Sequence, residues 1–108
     1  MRIGIISDTH GYLDQRALAA LAGVDVILHG GDVGSTAVLD GLRRIAPVHA
    51  VQGNNDAKLG GLGLPVHLDL ELDGVRVHLV HIRETYRSKT SQIDVGAWLE
   101  REFHRIAL

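Results

Sequence analysis

Ile3-Gly4-Ile5-Ile6-Ser7-Asp8-Thr9-His10-Gly11 is an apolar run that ends abruptly in a carboxylate and an imidazole two residues apart. Such a run reads as a buried strand that delivers two metal-competent side chains at its carboxyl end. The pattern returns as Val26-Ile27-Leu28-His29-Gly30-Gly31-Asp32 and as Val48-His49-Ala50-Val51-Gln52-Gly53-Asn54-Asn55-Asp56. Three strands are therefore expected to bring polar groups to one place.

Outward from these runs, the first strand is expected over about Arg2 to Ser7, with Gly11 allowing a sharp turn behind Asp8 and His10. Leu13, Ala17, Leu18 and Leu21 recur at helical spacing, and Gly23 stands where a left-handed cap is expected. A strand over about Val24 to His29 is nearly all apolar, as strands covered on both faces are. A second helix is expected from about Ser35 to Ile45, with Ser35 or Thr36 as cap, Val38, Leu39, Leu42 and Ile45 on one face, and Pro47 beyond its end. The third strand spans about Val48 to Gln52.

Strand, helix, strand, helix, strand with short connections is a βαβαβ unit, which packs as a parallel sheet with helices on its faces. All three carboxyl ends then lie along one edge, where open α/β sheets bind ligands, so Asp8, His10, Asp32, Asn54 and Asp56 converge although far apart in sequence. The glycine-rich stretch from Ala57 to Pro65 reads as a mobile loop beside that edge. Val66, Leu68, Leu70 and Leu72 then alternate with polar residues, and Asp73-Gly74 is a type I′ turn signal before a second alternating run, Val75 to Val80. The second arm of this hairpin ends at His81, a further candidate ligand. Residues Arg83 to Gln92 are polar and aperiodic, and Val95, Trp98, Leu99, Phe103 and Ile106 mark one face of a last helix capped by Asp94.

Length and composition agree with one domain over residues 1–108: the chain has 108 residues, 45% of them hydrophobic. A net charge of -2 points to neither nucleic acid nor an anionic membrane as partner. The lack of cysteine removes disulfides, thiolate metal sites and a cysteine nucleophile together, and suits a cytoplasmic protein. Asp8 and His10 interrupt the first apolar run too early for a signal peptide or a membrane span to be expected.

Carboxylate, imidazole and amide groups without thiolates suit Mn²⁺, Fe²⁺, Co²⁺, Ni²⁺ or Zn²⁺ and discriminate poorly among them. Two such ions about 3.5 to 4 Å apart clamp a phosphate ester and acidify water, so metal-dependent phosphoester hydrolysis is the expected chemistry. Asp8-Thr9-His10, Gly31-Asp32, Gly53-Asn54-Asn55-Asp56 and the Leu79-Val80-His81 strand end together resemble four motifs of the calcineurin-like metallophosphoesterases, over residues 1 to 81. The branch they resemble is that of small bacterial and archaeal phosphodiesterases similar to the retromer subunit of the same fold.

The resemblance implies an αββα sandwich of two sheets and a dinuclear site, with Mn²⁺ the first expectation. It makes Asp8, His10 and Asp32 ligands of one ion and Asp32, Asn54 and His81 ligands of the other, with Asp32 shared and a bridging hydroxide as nucleophile. It makes Asp56 a group that holds another side chain rather than a ligand. Asn55 stands where many members carry a histidine that serves the leaving group, and a neutral amide is no acid. The last signature, Gly-His-x-His, is not in the sequence, and His104 in Glu102-Phe103-His104-Arg105 does not replace it. A C-terminally shortened sandwich is therefore expected, whose incomplete sheet edge invites a partner or a second copy. The alternative is a weakly active or inactive relative that works as a metal-binding scaffold or interaction module, or a piece of a longer enzyme.

Blander readings stand beside these. His81, followed by Ile82, has a lesser reading as a capped strand-end histidine, and His29 is either a group orienting the site or a satisfied core histidine. His49, His67 and His78 read as solvated, Trp98 and Phe103 as helix packing, and Arg83, Arg87 and Lys89 as a solvated loop rather than a phosphate clamp.

Overall fold

The computed structural model describes residues 1–81. The polar stretch from Arg83, the helix expected after Asp94, and His104 lie outside the described residues. Strands β1 (Ile3–Ile6), β2 (Val26–His29) and β3 (Val48–Ala50) form a parallel sheet in the order β1-β2-β3. Helix α1 (Gln15–Ala20) joins the first pair and α2 (Thr36–Arg43) the second. Right-handed crossovers that step twice in one direction put both helices on the same face of the sheet.

Side-chain alternation then divides the sheet between two cores. Ile27 and Ala50 turn to the helix side, where Leu21, Val24, Val33, Val38, Leu39 and Leu42 meet them. Ile3, Val26 and Leu28 turn the other way and pack on Leu72, Val75, Val77 and Leu79. Those four belong to the antiparallel hairpin of β4 (His67–Leu72) and β5 (Val75–Val80), which is the second sheet. The expected mixed α/β fold with two sheets is thus what forms. Because β2 is central and wholly buried, its run Val26-Ile27-Leu28 is apolar on both faces.

The hairpin closes as its sequence requires. Asp73 and Gly74 have φ of 52° and 79°, the pair of positive values a type I′ turn needs. One reading of the hairpin is corrected: His78 is half-buried and pairs with Asp69 directly across the ladder instead of being solvated. Asp69 and His78 are equidistant from the Asp73-Gly74 turn, so their pairing was available from the sequence.

The stretch after β3 is built of short turns. Helix α3 (Asn54–Ala57) and a 3₁₀ turn (Gly60–Gly63) follow each other, with Leu62 and Leu64 packed on the helix-side core. Gln52 anchors them: its main-chain N–H donates to Pro65 O at 2.8 Å and its side-chain Nε2 to Leu64 O at 2.8 Å. Among the described residues, no helix is long and apolar enough to cross a membrane.

Candidate metal centre

The turns after β1 and β2 are laced together by their main chains. Asp8 N donates to Gly31 O at 2.9 Å, His10 N to Asp32 O at 2.9 Å and Gly11 N to Val33 O at 2.7 Å. The two turns come so close that a Cβ on Gly34 would overlap the Gly11 main chain. Within them Asp8, His10 and Asp32 have φ of 57°, 50° and 55°, the left-handed region that side-chain-bearing residues rarely occupy. Three such residues fall together where the turns after β1 and β2 meet.

A second lacing runs beneath. His29 is fully buried. Its Nδ1 accepts the Gly31 N–H at 3.1 Å, so the other ring nitrogen carries the proton. That Nε2 lies 3.0 Å from Thr9 Oγ1, and the Thr9 hydroxyl in turn donates to Val33 O at 2.9 Å. Burial pushes the His29 pKa down against the pull of Asp56, Asp8 and Asp32, which keeps the ring neutral. His29 is therefore a satisfied core histidine that also ties the turn of Asp8 and His10 to the turn of Asp32, so both sequence readings of it hold together. Thr9, the other half of the tie, had no sequence signal beyond its place between Asp8 and His10.

The third turn cradles Asp32. Asn55 donates its main-chain N–H to Asp32 Oδ1 at 2.9 Å and its side-chain Nδ2 to Asp32 Oδ2 at 2.8 Å. Gly53 is in close contact with the same carboxylate, and a Cβ there would overlap Asp32 Oδ1. Asp56 is wholly buried and accepts from Val33 N, Gly34 N and Gly53 N, each at 2.9 Å. It holds main-chain amides of the Asp32 turn, where a side chain was expected. Asn54 stands exposed at the start of α3.

Burial alone would raise both buried carboxyl groups. In Asp32 the Asn55 hydrogen bonds and the attraction of His81 and His10 outweigh it, so the pKa is lowered. In Asp56 the amides of Gly53, Gly34, Val33 and Asp32 do the same. Both are carboxylates at neutral pH.

Asp8, Asp32 and His81 each offer a ligand atom, and these atoms all lie within 4.8 Å of one another. His81 follows β5 directly, and its Nδ1 lies 2.8 Å from Gly30 O. A carbonyl only accepts, so Nδ1 carries a proton, and this bond sets the orientation of the ring. Its Nε2 is 3.5 Å from Asp32 Oδ2. His10 Nε2 completes the ring of donors at 3.7 Å from Asp8 Oδ1 and 3.9 Å from Asp32 Oδ2. Imidazole nitrogens and carboxylate oxygens facing one another from several strand ends are donors that divalent cations take, so the residues fit a metal. Asp8, His10, Asp32, Asn55 and His81 are thus gathered at one end of the sheet. Asp56 lies under them, and Asn54 is the exposed first residue of α3.

The chain belongs to the calcineurin-like phosphoesterase superfamily, whose domain profile matches residues 1–102. It is 37% identical over 98 residues to a probable metallophosphoesterase of Methanothermobacter thermautotrophicus, a match covering 86% of this chain and 56% of that protein. It is 38% identical over 86 residues to a probable metallophosphoesterase of Methanocaldococcus jannaschii, covering 75% of this chain and 43% of the relative. The chain thus spans about half the length of these curated relatives. Among solved structures, an archaeal phosphodiesterase superposes with a TM-score of 0.67 at 24% identity, over 85% of this chain and 67% of its own. Vps29 of Entamoeba histolytica gives 0.65 at 23% identity, over 84% of this chain and 59% of its own. At such identities these two likenesses speak for the fold, and the family follows from the profile.

Proposed function

We propose that this chain is a single phosphoesterase domain, residues 1–108, that hydrolyses phosphoesters with two divalent ions held at the carboxyl edge of the parallel sheet. The observation that carries the reading is the convergence of Asp8, Asp32 and His81, from three separate strand ends, within 4.8 Å in a chain of this superfamily. Asp8, His10 and Asp32 would hold one ion, and Asp32, Asn54 and His81 the other. Mn²⁺ is the first candidate, and Ni²⁺, Fe²⁺, Co²⁺ or Zn²⁺ suit the same donors. When bound, the ions supply charge neutralisation for the phosphate and water acidic enough to attack it near neutral pH.

The chain's own residues do the rest. The side chains of Asp32 and Asp8 give the site the acidic character that concentrates cations there, and the proton on His81 Nδ1 is pinned to Gly30 O, which keeps Nε2 turned inward. Asp56 fixes the main chain of the Asp32 turn. Asn55 has no proton to give a departing oxygen, so esters with acidic leaving groups, such as aryl phosphodiesters, are the favoured substrates. A cytoplasmic setting fits the cysteine-free sequence.

The test is direct. The purified chain given Mn²⁺ or Ni²⁺ should cleave bis(4-nitrophenyl) phosphate, and Asp32→Ala should abolish that cleavage. No metal-stimulated rate above that of the variant would remove the enzymatic reading for this chain.

A further inference from the structure

We infer that Thr9 and His29 are positioning residues for metal: one hydrogen-bonded chain through their side chains sets Asp8 and His10 against Asp32. This role rests on the metal-binding reading above and adds two residues to it. The chain starts at the Gly31 N–H, which donates to His29 Nδ1 at 3.1 Å. The ring proton is thereby left to Nε2, which lies 3.0 Å from Thr9 Oγ1, and the Thr9 hydroxyl donates onward to Val33 O at 2.9 Å. The two ends of the chain, Gly31 and Val33, are the residues on either side of Asp32, and Thr9 is the residue between Asp8 and His10. One ring and one hydroxyl therefore reach both neighbours of one candidate ligand and the residue that separates the other two.

The surroundings support a positioning role over a merely structural one. His29 is fully buried, a place that core filling alone would give to an apolar side chain. The main-chain bonds between the two turns all run one way, from the N–H groups of Asp8, His10 and Gly11 to the carbonyls of Gly31, Asp32 and Val33, and they leave the Gly31 N–H to His29. Asp8 and His10, on the two sides of Thr9, both hold positive φ, a backbone that persists only where its surroundings over-determine it. The Thr9 hydroxyl supplies a fixed point in the middle of that stretch. Removing it leaves the main-chain lacing in place and lets the stretch relax, so the cost falls on where Asp8 and His10 stand relative to Asp32.

Two measurements on the full chain test this. In calorimetric titration with Mn²⁺, Thr9→Val, which keeps the shape and loses the hydroxyl, and Thr9→Ala should bind about 10 to 100-fold more weakly than the wild type. Thr9→Ser, which keeps the hydroxyl, should recover most of that loss. A merely structural role would lower the unfolding midpoint of the metal-free variants and leave the affinity of the folded protein unchanged. Wild-type affinity in Thr9→Val and Thr9→Ala, or binding by Thr9→Ser as weak as theirs, would therefore overturn the inference. No Mn²⁺ bound by the wild type would instead defeat the metal-binding reading and with it this role. The chain of bonds is judged separately in the metal-free wild type, whether or not a variant folds. Nitrogen-edited NMR should show the His29 ring protonated at Nε2, with that proton in slow exchange with solvent. A ring protonated at Nδ1 alone, or an Nε2 proton exchanging at the solvent rate, would refute it.

Discussion

Asp8, His10 and Asp32 all sit at positive φ, and their strain gives a prediction that separates function from folding. A side-chain-bearing residue in the left-handed region costs roughly 1–2 kcal/mol relative to glycine. The His10 side chain is 54% exposed, so its removal sacrifices little packing. His10→Gly should leave the metal-free protein as stable as the wild type, or more stable by up to about 1 kcal/mol in urea unfolding. Metal-stimulated hydrolysis should fall by at least about tenfold. A clear loss of stability would mean that His10 serves the fold.

Asp56 makes the opposite case at the same scale. Its carboxylate is wholly buried and satisfies three amides, so Asp56→Asn should cost at least about 2 kcal/mol of stability. Its pKa is lower folded than the ordinary 3.8, so the unfolded chain takes up the proton first. The stability it contributes is present in full above that value and is lost as pH falls through the lowered folded value. Urea unfolding with chelator present, from pH 6 down to pH 3, should show a steeper loss for the wild type than for Asp56→Asn.

At the scale of elements, the strands were legible because each apolar run has one destination. The run in β2 is buried on both faces, and the alternating runs of β4 and β5 are buried on one. Leu28 is fully buried between the sheets, and Leu28→Ala should destabilise by about 2–5 kcal/mol, read from the urea midpoint. Helix ends were less legible. Leu13 has helical spacing with the residues after it, yet α1 begins at Gln15 because the Asp14 side chain accepts the Arg16 N–H at 2.7 Å and ends the turn before it. Ser35 is the cap of α2 without a side-chain bond. The turns after β3 escaped the sequence because long-range bonds from Gln52 and Asp56 fold them, and three nearby glycines carry only the signal of a loop. For the same reason the sequence distinguishes Asn54 from Asn55 only through resemblance. The same side chain occurs twice, and the geometry of a four-residue helix decides which one meets Asp32.

Across the whole molecule, the site exists because three parallel strands and a hairpin end on the same side, which makes it a property of the topology. The sheet contributes Asp8 and Asp32 from adjacent strands, and the hairpin packed over its other face contributes His81. Metal binding should therefore stabilise the fold as a unit: 100-fold excess of Mn²⁺ over its dissociation constant should add about 2.7 kcal/mol to unfolding, and Asp32→Ala should lose that increment. These strand ends should form one metal centre. Anomalous scattering from crystals grown with Mn²⁺ tests it most directly. Two peaks should flank Asp32, one beside Asp8 and His10 and one beside His81. No peak at Asp32, or manganese bound only elsewhere on the chain, would contradict it.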